Sequence, residues 1–114
     1  MNLNGLGVDI EEISRFLSFK KDRVALFLLN NYTQSELDYC FSFKDPSPHL
    51  AGVFVAKEAV FKAMGQKNIL LSSIEIRRDK NGRPRVWIKN RHQKSILISI
   101  SHTANISLAV AIKQ

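Results

Sequence analysis

The segment VFVAKEAVFKAMG, residues 53–65, decides the fold, because it predicts one helix that is apolar on most of its sides. Apolar residues recur around nearly the whole circumference at the helical repeat, which is typical of a helix inside a protein core. The same segment nevertheless carries three charged side chains, Lys57, Glu58 and Lys62. A core helix with an acid and two bases is therefore the first candidate for a functional element.

The rest of the chain limits what that helix can belong to. With 114 residues, 45% of them hydrophobic, we expect a single domain covering residues 1–114. No apolar run approaches the ~18 residues of a membrane span, and the N-terminus lacks the pattern of a signal peptide. Cys40 is the single cysteine. Together these features predict a cytoplasmic protein that does not enter a membrane.

The charge of the chain predicts an anionic partner without identifying it. Seventeen Lys and Arg residues against ten Asp and Glu residues give a net charge of +7. Nucleic acid, a phosphorylated small molecule and an acidic protein all fit this excess. A basic protein whose charge only keeps it in solution fits it equally well.

The N-terminal half predicts one strand followed by helices. LNGLGVDI alternates apolar residues with Gly5, Gly7 and Asp9, which indicates a half-buried strand. Helices are expected from about Glu11 to Phe19, from near Asp22, and from a capping box at Thr33–Glu36 through Phe43. Pro46 and Pro48 interrupt the helical pattern. The long helix is expected from about Leu50 to Met64, ended by Gly65.

The C-terminal half predicts antiparallel strands. SSIEIRRD and PRVWIKN flank Asn81-Gly82, a strong hairpin signal, and SILISISH and ISLAVAI alternate on either side of TAN. On the last strand Ser107, Ala109 and Ala111 share a face of small side chains, which suits close approach by another element or another subunit. The predicted class is α+β, with a mainly antiparallel sheet packed on a long buried helix.

The polar residues of the first strand and the long helix suggest a magnesium site. Glu58 and Lys62 are four residues apart and therefore neighbours on the helix. If that helix packs on the glycine face of the first strand, Asp9 and Glu58 converge, and two carboxylates beside a lysine suit Mg²⁺ carrying phosphate oxygens. The alternatives are an exposed ion pair on the helix and an Asp9 that only caps the helix starting at Glu11.

The histidines and the basic hairpin carry weaker signals. Ser101 and His102 are adjacent on a strand and point to opposite faces, so they do not form a nucleophile–base pair. His102 is then either structural or a ligand for an anion, whereas His49 and His92, in polar segments, are assigned no role. Arginines and lysines around Trp87 leave single-stranded nucleic acid open as an alternative partner.

Taken together, GLGVDIEEISRF, AGVFVAKEAVFKAMG and ISISHTANISLAVAI, with the hairpin IEIRRDKNGRPRV, resemble the holo-[acyl-carrier-protein] synthases, the short bacterial 4′-phosphopantetheinyl transferases. The resemblance covers nearly the whole chain. It implies transfer of the phosphopantetheine arm of coenzyme A to a serine of apo-acyl carrier protein, in support of fatty acid biosynthesis, with release of adenosine 3′,5′-bisphosphate. It also implies the fold of that family and a homotrimer with sites between subunits, and no nucleic-acid partner.

The resemblance also implies roles for individual residues. Asp9 and Glu58 match the Mg²⁺ ligands, and Lys62 matches a lysine beside the pyrophosphate. The remaining matches are to segments of the coenzyme A site, at Gly65, Gly82, Pro84 and His102. Arg15 matches a basic position that meets the carrier protein. A non-catalytic homologue that only binds the carrier protein is a further alternative.

The chain departs from the family pattern at two places. Val53 stands where the family commonly has an arginine, and Gln66 and Lys67 follow Gly65 where a second glycine is common. Lys67 or Lys44 is a candidate for the missing charge. Lys57 is expected to extend its ammonium group to a neighbouring subunit or to the ligand.

Overall fold

The computed structural model describes residues 2–65 and 69–114. Its helices are α1 (Leu26–Asn31), α2 (Gln34–Phe41) and α3 (Ser47–Met64), with 3₁₀ helices at Ile13–Phe19 and Leu71–Ser73. Its strands are β1 (Gly5–Glu12), β2 (Ile74–Arg78), β3 (Pro84–Ile88), β4 (Arg91–His92), β5 (Ile96–His102) and β6 (Ile106–Lys113).

Within the described residues the strands form two antiparallel sheets of three strands, in the orders β1–β6–β5 and β2–β3–β4. Helix α3 packs against both, with most of its contacts to β1, β6 and β5. The predicted class, an antiparallel α+β protein around a long buried helix, is confirmed. Both predicted strand pairs, β2 with β3 and β5 with β6, are also confirmed.

The contact between α3 and β1 depends on glycine. A Cβ atom added to Gly5 would lie 1.8 Å from the carbonyl oxygen of Ala63, and one added to Gly7 would lie 1.9 Å from that of Ala59. No side chain fits at such distances, so the helix backbone rests directly on the strand. The predicted packing of the long helix on the glycine face is confirmed.

The small side chains of β6 complete this contact. Ala111, Ala109 and Ser107 pair with Gly7, Asp9 and Glu11 of β1, and all three are fully buried. Cross-strand partners share a face of the sheet, so this face lies under α3. The sequence left open whether another element or another subunit covers this face. In the structure α3 of the same chain covers it, so the face is closed to a second subunit.

The structure corrects several of the predicted element boundaries. Strand β1 continues through Glu12, pairing Glu11 with Ser107, and a 3₁₀ helix rather than an α-helix follows it. Helix α1 begins at Leu26, not near Asp22, and α2 ends at Phe41. The strand extends further than expected because β6 offers it pairing partners over its full length, and no pattern within the first strand shows that.

The long helix begins earlier than predicted. Pro46 is its cap and Pro48 lies in its first turn, so α3 starts at Ser47. Proline is tolerated there because the N–H groups of the first turn have no partner within the helix. Gly65 ends the helix in the left-handed conformation, at φ +61°, as predicted. None of the helices described is long and apolar enough to span a membrane.

Candidate functional site

Asp9 and Lys62 meet where β1 crosses α3. The Lys62 ammonium donates to Asp9 Oδ1 at 3.1 Å and to the backbone oxygen of Val8 at 3.0 Å. Asp9 lies in the middle of β1, and the 3₁₀ helix that follows has no side-chain cap. The alternative in which Asp9 only caps a helix is therefore wrong.

Glu58 lies close enough to Asp9 for their charges to interact. Its pKa is raised above the ordinary value, first by partial burial and then by the negative charge of Asp9, while Lys62 opposes both. The structure thus brings together Asp9, Glu58 and Lys62, the three residues predicted to form the site. We call them the acidic cluster.

The acidic cluster fits a magnesium ion that is held together with a substrate. Asp9 Oδ2 is buried and has no hydrogen-bond partner among the described residues. Buried polar atoms are normally paired, so this oxygen has capacity for a further ligand. In residues 2–65 and 69–114 no three His, Cys, Asp or Glu side chains are placed so that they could hold a metal ion together. Mg²⁺ commonly uses one or two carboxylates and takes its remaining ligands from phosphate and water, so two carboxylates suffice.

Arg15 lies near the acidic cluster. It forms an ion pair with Glu11 and stands 5.1 Å from the ring centre of Phe54. Both charges also affect the pKa of Glu58, because Glu11 raises it and Arg15 lowers it. Glu11 was not predicted as a neighbour of the site, although its position two residues after Asp9 places it on the same strand face.

Lys57 does not reach a ligand or another subunit, and that prediction is wrong. Its side chain is fully buried and donates to Glu36 Oε1 at 2.6 Å. Glu36 is equally buried and also accepts the N–H groups of Thr33 at 2.9 Å and Ile76 at 2.7 Å. The ion pair therefore joins α2, α3 and β2. The predicted capping box, with Thr33 accepting from the Glu36 N–H, is confirmed.

The residues predicted to line a coenzyme A site are spread along the molecule. Gly65 ends α3, while Gly82, at φ +81°, and Pro84 belong to the hairpin between β2 and β3 in the second sheet. His102 ends β5 and donates through Nδ1 to the backbone oxygen of Thr103 at 3.0 Å. Their place in a ligand site stays a prediction.

The structure also shows where the residues that depart from the family pattern lie. Val53 is buried in the core, with 2% of its surface exposed, and Lys44 is exposed. Lys67 lies outside the described residues.

The aromatic ring of the basic hairpin is already stacked. Trp87 lies 5.1 Å from His92 of β4, and the Arg77 guanidinium of β2 stands 4.0 Å from the Trp87 ring centre. Since β2 and β4 flank β3, these partners come from the strands on either side of Trp87. This arrangement does not favour stacking of a nucleic-acid base on Trp87.

The geometry of β1 and α3 agrees with comparisons to known proteins. Residues 5–111 match the 4′-phosphopantetheinyl transferase superfamily, and the chain belongs to that family. It is 40% identical to the holo-[acyl-carrier-protein] synthase of Thermodesulfovibrio yellowstonii over 111 residues, covering 96% of this chain and 97% of that protein. The synthase of Protochlamydia amoebophila is also 40% identical, with 95% of each chain covered.

Two solved structures extend the comparison to coenzyme A. The holo-(acyl-carrier-protein) synthase of Bacillus anthracis, in complex with CoA (3′,5′-ADP), has a TM-score of 0.80 and 28% identity, over 97% of this chain and 96% of that one. The Helicobacter pylori synthase, in complex with coenzyme A, has a TM-score of 0.79 and 28% identity, over 96% and 99%. The resemblance seen in the sequence motifs is confirmed.

Proposed function

We propose that this protein transfers the 4′-phosphopantetheine group of coenzyme A to a serine hydroxyl of apo-acyl carrier protein and releases adenosine 3′,5′-bisphosphate. The observation that carries the proposal is the meeting of Asp9, Glu58 and Lys62 at the β1–α3 crossing, with one Asp9 oxygen buried and unpartnered. Membership of the transferase family supports it. Two relatives at 40% identity are named holo-[acyl-carrier-protein] synthase.

The reaction exchanges one phosphorus–oxygen bond for another. The serine oxygen attacks the phosphorus that carries the pantetheine arm, and the bond to the bridging pyrophosphate oxygen breaks. The proton of the serine hydroxyl is released to water. Negative charge then develops on the departing bisphosphate. Such phosphoryl transfers depend mainly on the positioning of the reacting groups and on positive groups placed where negative charge develops. Lys62, half exposed and held by Asp9 and the Val8 carbonyl, supplies a positive group in a fixed place.

Magnesium is part of the proposal, with Asp9 and Glu58 as its ligands. The ion would neutralise phosphate charge and make the phosphorus easier to attack. Glu58 serves as a ligand in its ionised form, although burial and Asp9 raise its pKa. The Lys62 charge favours that ionised form, so the same lysine helps to keep the second carboxylate ready for a cation.

Intact-mass spectrometry tests the proposed reaction directly. Apo-acyl carrier protein is incubated with coenzyme A, Mg²⁺ and this protein, and we expect a mass increase of one phosphopantetheine group. Controls omit coenzyme A or add a chelator, and each should abolish the increase. An unchanged carrier protein under all conditions would instead favour the non-catalytic carrier-binding alternative.

We also propose that Arg15 contributes to recognition of the acidic carrier protein. The net charge of +7 and the partly exposed guanidinium support this, since 46% of the Arg15 side chain is accessible. Charges at the rim of an interface act mainly on encounter. Arg15→Gln should therefore raise the KM for carrier protein and leave that for coenzyme A unchanged, while Arg91→Gln should change neither. A rise in the KM for coenzyme A would place Arg15 in the nucleotide site instead.

The active form is proposed to be a homotrimer that associates through the outer face of the first sheet. Leu6, Val8 and Ile10 of β1 are 70%, 51% and 58% exposed. Leu97 of β5 and Ile106 of β6 lie on the same face and are 44% and 39% exposed. An apolar patch of this kind is typical of an association surface, and closed cyclic assembly covers it. The number three comes from the resemblance.

Sedimentation equilibrium with matched variants tests the assembly. Val8→Glu places a charge at the centre of the outer face and should give smaller species with parallel loss of transfer. Val24→Glu is the control, because Val24 is 72% exposed and lies outside the sheet. A wild-type protein that is monomeric and fully active would refute the proposed homotrimer.

The cellular setting of the proposal is a cytoplasmic enzyme acting in fatty acid biosynthesis. The single buried thiol of Cys40 supports a reducing compartment. The assignment to that pathway rests on the acyl carrier protein as substrate.

A further inference from the structure

The buried ion pair between Lys57 and Glu36 lies beside the acidic cluster, although neither residue belongs to it. Lys57 directly precedes Glu58 in α3, and both side chains of the pair are fully buried. Glu36 belongs to α2 and also accepts the N–H groups of Thr33, which caps α2, and of Ile76 in β2. One carboxylate thus ties α2 and β2 to α3 at the residue next to a proposed metal ligand.

Stability alone does not account for such a pair. Two charges lose their hydration when they are buried, and apolar side chains of similar volume commonly stabilise a core as well or better. An ion pair differs from an apolar contact in having direction, because its hydrogen bonds require particular distances and angles. The Lys57 ammonium meets Glu36 Oε1 at 2.6 Å and the Tyr32 ring centre at 5.6 Å, and none of its side chain is exposed. The pair therefore holds α3 in one orientation.

Helix α3 is held from two opposite sides, and Glu58 lies between them. On one side the backbone at Ala59 and Ala63 rests on the glycines of β1. Lys57 precedes Ala59 by two residues, which is about 200° around a helix, so the ion pair holds the opposite side. Glu58 is about 100° from each. Because glycine has no side chain that interlocks with the helix, the contact with β1 sets the distance of α3, whereas the ion pair also limits its rotation.

A small rotation of α3 about its axis would disturb the acidic cluster. Side-chain atoms lie about 5–6 Å from a helix axis, so a rotation of about 10° moves the Glu58 carboxylate by about 1 Å. A displacement of about 1 Å in a reacting arrangement can lower a rate by about 100-fold. The position of Glu58 therefore depends on whatever fixes the rotation of α3.

We propose that Lys57 and Glu36 are positioning residues for Glu58. By fixing the rotation of α3 against α2 and β2, the pair holds the Glu58 carboxylate where it shares a cation with Asp9. The inference rests on the proposed function, in which both carboxylates hold Mg²⁺. The pair acts through the helix and not by contact with the substrates, because both of its side chains are buried in the core.

Replacement of both charges separates positioning from stability. Glu36→Gln/Lys57→Met closely preserves both side-chain volumes and keeps an amide oxygen for the backbone donors, but it removes the link to α3. Its kcat, corrected for the folded fraction, should fall about 10- to 100-fold, while the KM values for coenzyme A and carrier protein change less than about twofold. Val86→Ala is the control, because Val86 is a fully buried residue of β3 outside the acidic cluster. It should lower the midpoint of urea unfolding and leave kcat unchanged.

A second measurement does not depend on the transfer reaction. Mn²⁺ suits the same oxygen ligands as Mg²⁺, and its binding in the presence of adenosine 3′,5′-bisphosphate is followed by electron paramagnetic resonance. We expect the double variant to bind Mn²⁺ at least about tenfold more weakly than the wild type, and Val86→Ala to bind it as the wild type does. Glu36→Asp keeps both charges and shortens the link by one methylene group, so it should show the same changes to a smaller extent if the double variant does not fold.

The outcomes distinguish failure of this inference from failure of the proposed function. If the wild type transfers phosphopantetheine and the double variant keeps both its kcat and its Mn²⁺ affinity, the pair is structural only and the inference is overturned. Equal losses in Val86→Ala would show general destabilisation and would also overturn it. If the wild type shows no transfer but Mn²⁺ binding weakens in the double variant and not in Val86→Ala, the positioning role stands and the proposed reaction fails. A wild type that neither transfers nor binds Mn²⁺ has no site for the pair to position, which overturns both.

Discussion

Replacement of Lys57 by methionine tests whether the buried ion pair with Glu36 holds the core together. Methionine fills a similar volume but leaves the fully buried Glu36 without its cation. Breaking one partner of a buried pair typically costs about 3–5 kcal/mol, because a charge then stays buried and uncompensated. The two backbone N–H donors of Thr33 and Ile76 remain, which argues for the lower end of that range.

The pH dependence of this loss has a definite sign. In the wild type, burial raises the pKa of Glu36 and the charge and hydrogen bond of Lys57 lower it. Without Lys57 the pKa of Glu36 in the folded state rises further above its pKa in the unfolded state. The stability of the variant is therefore retained at a pH below the unfolded-state pKa of Glu36, and it is lost as the pH rises through the folded-state pKa. The stability difference between Lys57→Met and the wild type should therefore be smaller at acidic pH than at pH 8.

Urea unfolding followed by circular dichroism and by Trp87 fluorescence measures these free energies. Protein concentration is held constant, because association shifts apparent stability. Lys20→Met is the matched control, since the Lys20–Asp45 pair at 3.7 Å is about half exposed and should contribute less than about 1 kcal/mol. The double variant Glu36→Gln/Lys57→Met should lose less than the sum of its single changes. A cost below about 1 kcal/mol for Lys57→Met, independent of pH, would refute the structural role.

Three further outcomes are expected. Gly7→Ala should destabilise the fold by about 3 kcal/mol or more in urea unfolding, because its Cβ would lie 1.9 Å from the Ala59 carbonyl oxygen. The control Gly52→Ala, whose Cβ would lie 3.6 Å from its nearest neighbour, should be neutral or stabilising. Equal effects of the two substitutions would disprove the close contact between β1 and α3. Asp9→Asn and Glu58→Gln should each lower transfer by orders of magnitude at limiting Mg²⁺ with unchanged circular dichroism, and a near wild-type rate would remove that residue from the ligand set. Burial raises the pKa of the Cys40 thiol to about 12, so a thiol reagent at pH 8 should label it only as the protein unfolds; rapid labelling of the native protein would contradict this.

Much of the fold followed from local patterns. The alternation around Gly5 and Gly7, the all-round apolar helix and the Asn81-Gly82 turn each act within a few neighbouring residues, and the corresponding elements are present. The motif in which Glu58 precedes Lys62 by one helical turn, with Asp9 on the glycine face, was sufficient to predict the acidic cluster. These features are local because backbone geometry sets the periods of strands and helices.

Which charged residues pair with each other across the fold depends on the tertiary structure. Lys57 and Glu36 are 21 residues apart, and nothing in either segment indicates that their side chains meet. The convergence of His49, Arg78 and His102 likewise requires α3, β2 and β5 to be in place. The sequence by itself determined which elements form and which face of each is apolar. The packing of those elements decided which charges are buried together, because desolvation and pairing depend on distances that only the folded chain defines.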